Sequence, residues 1–251
     1  MAILFGYILL VIAMMLGIRN AVGGIGGMGG LIGGLIPEYS ASSALQFFAS
    51  DFQIILILVC VVICGFYAGE YKNGLIRNAL TAGVSRTKVF FAKFIMAMSV
   101  SAAVYLVVSA IYITVYGIAG GWGDLNGGVF IGFWLLVFLQ FLATAALVFM
   151  FSILTKSTGA TIGITIGLTF FFSILASLGM LGEFFPDSAF VKFLSEFSML
   201  FSGAQITKAA EMAAAETLNV WRVVESVLVG AVTLGACAFG GWAMFRNQDQ
   251  K

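Results

Sequence analysis

Six runs of mostly apolar residues divide this chain, each close to the about 20 residues that a helix needs to cross a bilayer. They fall roughly at 2–18, 52–69, 94–117, 129–153, 160–181 and 222–245. Within lipid every backbone N–H and C=O must find its partner inside the protein, and a helix does this for itself. The runs therefore predict an all-α polytopic membrane protein with six transmembrane helices, forming one transmembrane domain over 1–251. Composition agrees: with 61% hydrophobic residues, 9% charged residues and a mean hydropathy of +1.10, an ordinary soluble domain is excluded.

The charges set the orientation. Lys72, Arg77, Arg86, Lys88 and Lys93 crowd into one polar segment, Glu70 to Lys93, between the second and third runs. Cytoplasmic loops carry an excess of Lys and Arg, so this segment is expected inside. Alternation then places Lys156, Arg246 and Lys251 inside as well, and leaves Arg19, Lys192, Lys208 and Arg222 outside. Both termini are expected in the cytoplasm. A net charge of +1 argues against nucleic acid as a partner, because the basic residues are accounted for as topology signals.

Most catalytic chemistries lack their usual residues. The chain has no His, which removes the commonest general base and metal ligand. Cys60, Cys64 and Cys237 all lie in apolar runs and read as packing thiols, so no metal is expected. The stretch 17–36, GIRNAVGGIGGMGGLIGGLI, is as rich in glycine as a phosphate loop but has no G-K-[ST]; it reads as a connector or a close helix contact. In the outer segment 183–221, Phe190, Phe193, Leu194, Phe197, Leu200 and Phe201 recur at helical spacing after Pro186. That pattern predicts a short amphipathic helix at or dipping into the outer leaflet.

Polar side chains in lipid are costly and face protein or water. Ser101, Tyr105, Ser109, Tyr112 and Tyr116 form one stripe on the third run. Gln140 and Thr144 pair at i and i+4 on the fourth. On the fifth, Thr161, Thr165 and Thr169 run beside Gly159, Gly163 and Gly167. These faces serve either helix packing or a path for an amphiphilic molecule. No Asp, Glu, Lys or Arg sits mid-run, which an ion-coupled transporter usually requires.

The polar segment reads E-Y-x-x-G-x-I-R-N (Glu70, Tyr71, Gly74, Ile76, Arg77, Asn78), then G-V-S-R-T-K (Gly83 to Lys88) entering the third run. With the six-span plan, it resembles the ABC-2 type permeases, the membrane subunits of bacterial ABC transporters. The resemblance is sharp only over 66–93. It implies a coupling helix after the second span, docked on a separate cytoplasmic ATPase subunit through Glu70, Tyr71, Gly74, Arg77, Asn78, Arg86 and Lys88. It implies a lesser contact at the turn 155–159 through Lys156, and membrane-dipping outer helices before the last span. Members of that family commonly open with a basic amphipathic helix, whereas Met1 here leads almost directly into an apolar run.

The resulting expectation is a non-enzymatic permease subunit in the bacterial cytoplasmic membrane. It pairs with a second permease subunit in contact with membrane lipid, and binds no cofactor of its own, ATP and Mg residing on the partner. A lipid-like or peptide-like substrate suits the aromatic walls. The rival expectation is a self-sufficient channel or secondary transporter.

Overall fold

The computed structural model describes residues 52–120, 127–180 and 220–247, together with Ala44 and Gln205. The expected first span, the glycine-rich stretch and the outer amphipathic segment lie outside the described residues. Among the described residues every element is a helix: α1 (Phe52–Lys72), α2 (Leu75–Thr81), α3 (Arg86–Gly120), α4 (Gly127–Thr155), α5 (Thr158–Met180) and α6 (Val220–Asn247). Among the described residues three helices are long and apolar enough on their own to cross a membrane, at Arg86–Ile118, Gly127–Thr155 and Val220–Asn247. The chain is therefore a helical membrane protein. α1 and α5 occupy the expected second and fifth apolar runs. α1 passes the same test only together with α2, from which it is bent by 54°.

α3 begins at Arg86 rather than at the expected 94, so the second half of the basic segment is helix and not loop. At 1.5 Å per residue α3 is roughly 50 Å long, well beyond the about 30 Å of hydrocarbon, which leaves room for its charged first turns in the polar layer. There the positive side chains cost nothing in lipid, and hydropathy does not register them as helix.

The bend between α1 and α3 is built from glycine and a cap. Gly74 adopts φ 69° at the start of α2, a left-handed conformation that penalises side chains with a Cβ. At the other end Gly83 sits at φ 87°, where Gly83 N–H donates to the Leu80 carbonyl and Val84 N–H to the Ala79 carbonyl. This pair of bonds is a Schellman closure, satisfying carbonyls that the helix end leaves orphaned. Ser85 then precedes α3, its hydroxyl 3.4 Å from the Lys88 amide in the N-cap position.

α4 is the centre of the bundle and packs against α1, α3, α5 and α6. Its most apolar window is 61% buried within the chain, against 28% for α3 and 17% for α6. α6 packs on α4 and α3 with its small residues inward: Ser226, Gly230, Cys237 and Gly241 are buried. A Cβ at Gly230 would lie 2.9 Å from Leu139 Cγ, and one at Gly241 3.3 Å from the Phe90 ring. Small residues at this spacing let helix backbones approach, which is how helices gain contact in lipid. The expected close approach along Gly159, Gly163 and Gly167 has no counterpart among the described residues, where a Cβ at any of the three would meet nothing within 4 Å.

Candidate functional site

One end of the bundle gathers the polar machinery. The end of α1, all of α2, the start of α3, the α4–α5 turn and the end of α6 meet there, as three contacts between distant segments show. Arg86 donates to the Arg246 carbonyl at 2.8 Å, and Trp242 Nε1–H to the Thr87 hydroxyl at 3.3 Å. The Lys156 ammonium lies 4.9 Å from the centre of the Tyr71 ring. Lys72, Arg77, Arg86, Lys88, Lys93, Lys156 and Arg246 all belong to this end, whereas Arg222 sits at the opposite end of α6, paired with Glu225 at 2.9 Å.

The sequence-predicted docking residues divide by what they touch. Glu70 turns inward and accepts from Lys93 Nζ at 2.6 Å, tying the end of α1 to α3; both side chains are partly buried. Tyr71 lies under Lys156, a cation–π contact worth about 0.5–1 kcal/mol where exposed. Lys156 itself has φ 52°, unusual for a residue with a Cβ, and it closes α4 by donating its N–H to the Ser152 carbonyl. Arg86 supplies both a donor and a positive charge to the C-terminal end of α6, where unpaired carbonyls and the helix dipole favour one. Gly74 makes the turn. Arg77, Asn78 and Lys88 are exposed, alongside the exposed apolar side chains Leu75 and Val84. The surface this end offers to a second molecule is therefore α2 with its flanking turns, and it is basic and partly apolar.

The polar stripes of the membrane region are packed inside the chain. Ser101, Tyr105, Ser109, Tyr112 and Tyr116 are all buried. Tyr105 donates to the Trp134 carbonyl on α4 at 2.7 Å, and its ring lies among Trp134, Phe138 and Phe141. Ser101 and Ser109 return their hydroxyls to carbonyls of their own helix. Gln140 is fully buried, and its amide donates to the Ser226 carbonyl and lies 3.1 Å from the Ser226 hydroxyl. Thr144 and Thr169 bond one turn back, to Gln140 and Thr165. Thr161 meets Thr155 across the α4–α5 turn at 2.6 Å, and Thr165 lies 3.7 Å from Cys60 Sγ on α1. Cys60 and Cys64 are buried free thiols. Among the described residues no cluster of His, Cys, Asp or Glu could hold a metal ion.

A family model matches residues 30–250 of the chain, nearly its whole length. The chain belongs to the DUF2705 family. That family is described as proteins of unknown function. No curated protein and no solved structure matches the chain. The matched range takes in all six described helices, so the basic end and the α4-centred packing both lie in the part of the chain that defines the family.

Proposed function

We propose that this DUF2705 protein is the membrane subunit of an ATP-driven transporter of the ABC-2 kind, with α2 as the helix on which a separate ATPase subunit docks. One observation carries the reading: a short helix, bent 54° out of α1 and closed by two left-handed glycines, presents Arg77 and Asn78 from the basic end of a membrane bundle. A force applied to α2 is transmitted along stiff routes. Gly74 joins it to α1, the Schellman turn and Ser85 join it to α3, and the Glu70–Lys93 pair locks α1 and α3 to each other. Tyr71 and Lys156 extend the same connection to the α4–α5 turn.

The basic end then faces the cytoplasm by the Lys/Arg bias. The full chain spans the membrane six times in this reading, with both termini cytoplasmic, in a bacterial inner membrane. ATP and Mg belong to the partner. The polar stripe of α3 is buried in the chain, with Tyr105 bonded to α4, so substrate moves between paired permease subunits rather than through the core of one. The exposed apolar side chains of α6, among them Trp221, Val232 and Phe239, give that pairing a surface. An amphiphilic, lipid-like or peptide-like substrate fits such walls.

The test is co-expression of the chain with an ATPase subunit encoded beside it, one that carries G-x-x-x-x-G-K-[ST]. The two should co-purify, and Arg77→Glu should release the ATPase while leaving the membrane chain inserted and folded. Binding that survives charge reversal at Arg77, Asn78→Asp and Lys88→Glu together would overturn the docking role of α2.

A further inference from the structure

α2 is held in one rotation about its own axis. Ile76 is 3% exposed, and Ala79 and Leu80 pack beside it against the bundle. With about 3.6 residues per turn, these three share one side of the helix. Asn78 and Thr81 then lie at the centre of the opposite side, with Arg77 on one flank and Leu75 on the other. All four are exposed, and so is every residue from Thr81 to Lys88. Leu75 at 53% and Val84 at 41% are the exposed apolar side chains at the two ends of this face.

The charge on the face has one sign. Among the described residues the carboxylates are Glu70 and Glu225, and neither serves it. Glu70 turns inward to Lys93, and Glu225 pairs with Arg222 at the far end of α6. Arg77 and Lys88 are exposed with no carboxylate beside them among the described residues. Such a face attracts a partner of opposite charge and rejects one of like charge. An anionic membrane and an acidic protein both carry that charge, and the helix distinguishes them. A helix that lies on a membrane buries an apolar side in the lipid and turns its cations to water. The apolar side of α2 is already packed against α1 and α3, and the centre of its outward side is polar. We infer that this face takes an acidic groove of a protein partner, with carboxylates opposite Arg77 and Lys88 and apolar pockets for Leu75 and Val84. The inference rests on the docking reading above and adds to it the chemistry of the partner's surface.

The experiment measures binding of the full-length chain, in nanodiscs of phosphatidylcholine, to the ATPase subunit encoded beside it. Between about 50 and 500 mM salt the affinity should fall about ten-fold, because exposed charge pairs are screened as the Debye length shrinks. Arg77→Gln and Lys88→Gln should each weaken binding at low salt and flatten its salt dependence. Leu75→Asn should weaken it several-fold at every salt. In a chain whose own cysteines are replaced, an environment-sensitive dye on Thr81→Cys should respond to the ATPase and not to phosphatidylglycerol added to the nanodisc. Binding that is independent of salt overturns the acidic groove and leaves the docking role of α2 standing. No binding of the wild-type chain at any salt overturns both. A dye response to phosphatidylglycerol alone gives the face to the membrane and overturns the inference.

Discussion

Gly230 decides how closely α6 can approach α4, and replacing it with alanine tests the packing of the whole bundle. The new Cβ would lie 2.9 Å from Leu139 Cγ, 3.1 Å from Leu139 Cδ2 and 3.1 Å from Gln140 Nε2. Carbon atoms at rest sit about 3.5–4.0 Å apart, so α6 must retreat by roughly 0.5–1 Å, a gap that forfeits a quarter to a half of each facing contact. Overpacking of this kind costs about 1–3 kcal/mol. The retreat also weakens the Gln140–Ser226 hydrogen bond, worth about 1 kcal/mol. Alanine's better helix propensity returns about 1 kcal/mol. The net expectation is a loss of about 1–3 kcal/mol, read as a drop of several degrees in the midpoint of thermal unfolding of the detergent-solubilised chain. Gly235→Ala is the internal control: it lies on the same helix with nothing among the described residues within 4 Å of its added Cβ, and should be neutral or stabilising. If the two variants unfold together, α6 does not pack on α4 in this register.

Tyr105→Phe removes the bond to the Trp134 carbonyl without changing the ring packing, and should cost about 1 kcal/mol in the same assay. Lys93→Met should destabilise by about 1–3 kcal/mol, because it strands a partly buried carboxylate. Adding Glu70→Gln should recover much of that loss in a double-mutant cycle, and simple additivity would show that the pair is not coupled. In a background with Cys60, Cys64 and Cys237 replaced, a cysteine at Ser85 should resist an impermeant thiol reagent in intact cells while one at Gly128 reacts. The reverse pattern would invert the orientation.

What could be read in the sequence tracks the range of each interaction. The stripe from Ser101 to Tyr116 repeats at helical spacing, and the structure buries all of it, because one face of one helix is a local property. Gly74 and Gly83, the two motif glycines of the polar segment, both take left-handed conformations. The start of α3 was not legible, since Arg86 to Lys93 looks like loop to any measure of hydropathy, although Ser85 in front of it is an N-cap residue. Nothing in the sequence separates Glu70, held by Lys93 from another helix, from Arg77, which is exposed. Both are charges in one polar segment, and only tertiary contact distinguishes them. The small residues that matter were likewise obscured. The regular Gly159–Gly167 series stood out but meets nothing within 4 Å among the described residues, while Gly230 and Gly241, in a less regular pattern with Ser226 and Cys237, carry the close contact.

Gln140 gives the bundle an order of assembly. Its amide lies midway along α4, fully buried, and its partner Ser226 is on the last helix of the chain. While α6 is still being synthesised, no water at that depth can serve in its place, and an unsatisfied amide in hydrocarbon costs several kcal/mol. A chain cut short before Val220 leaves the N–H donors of this amide without Ser226, and a finished one pairs them. The same bond therefore ties the middle of α4 to a helix some 86 residues further along the chain.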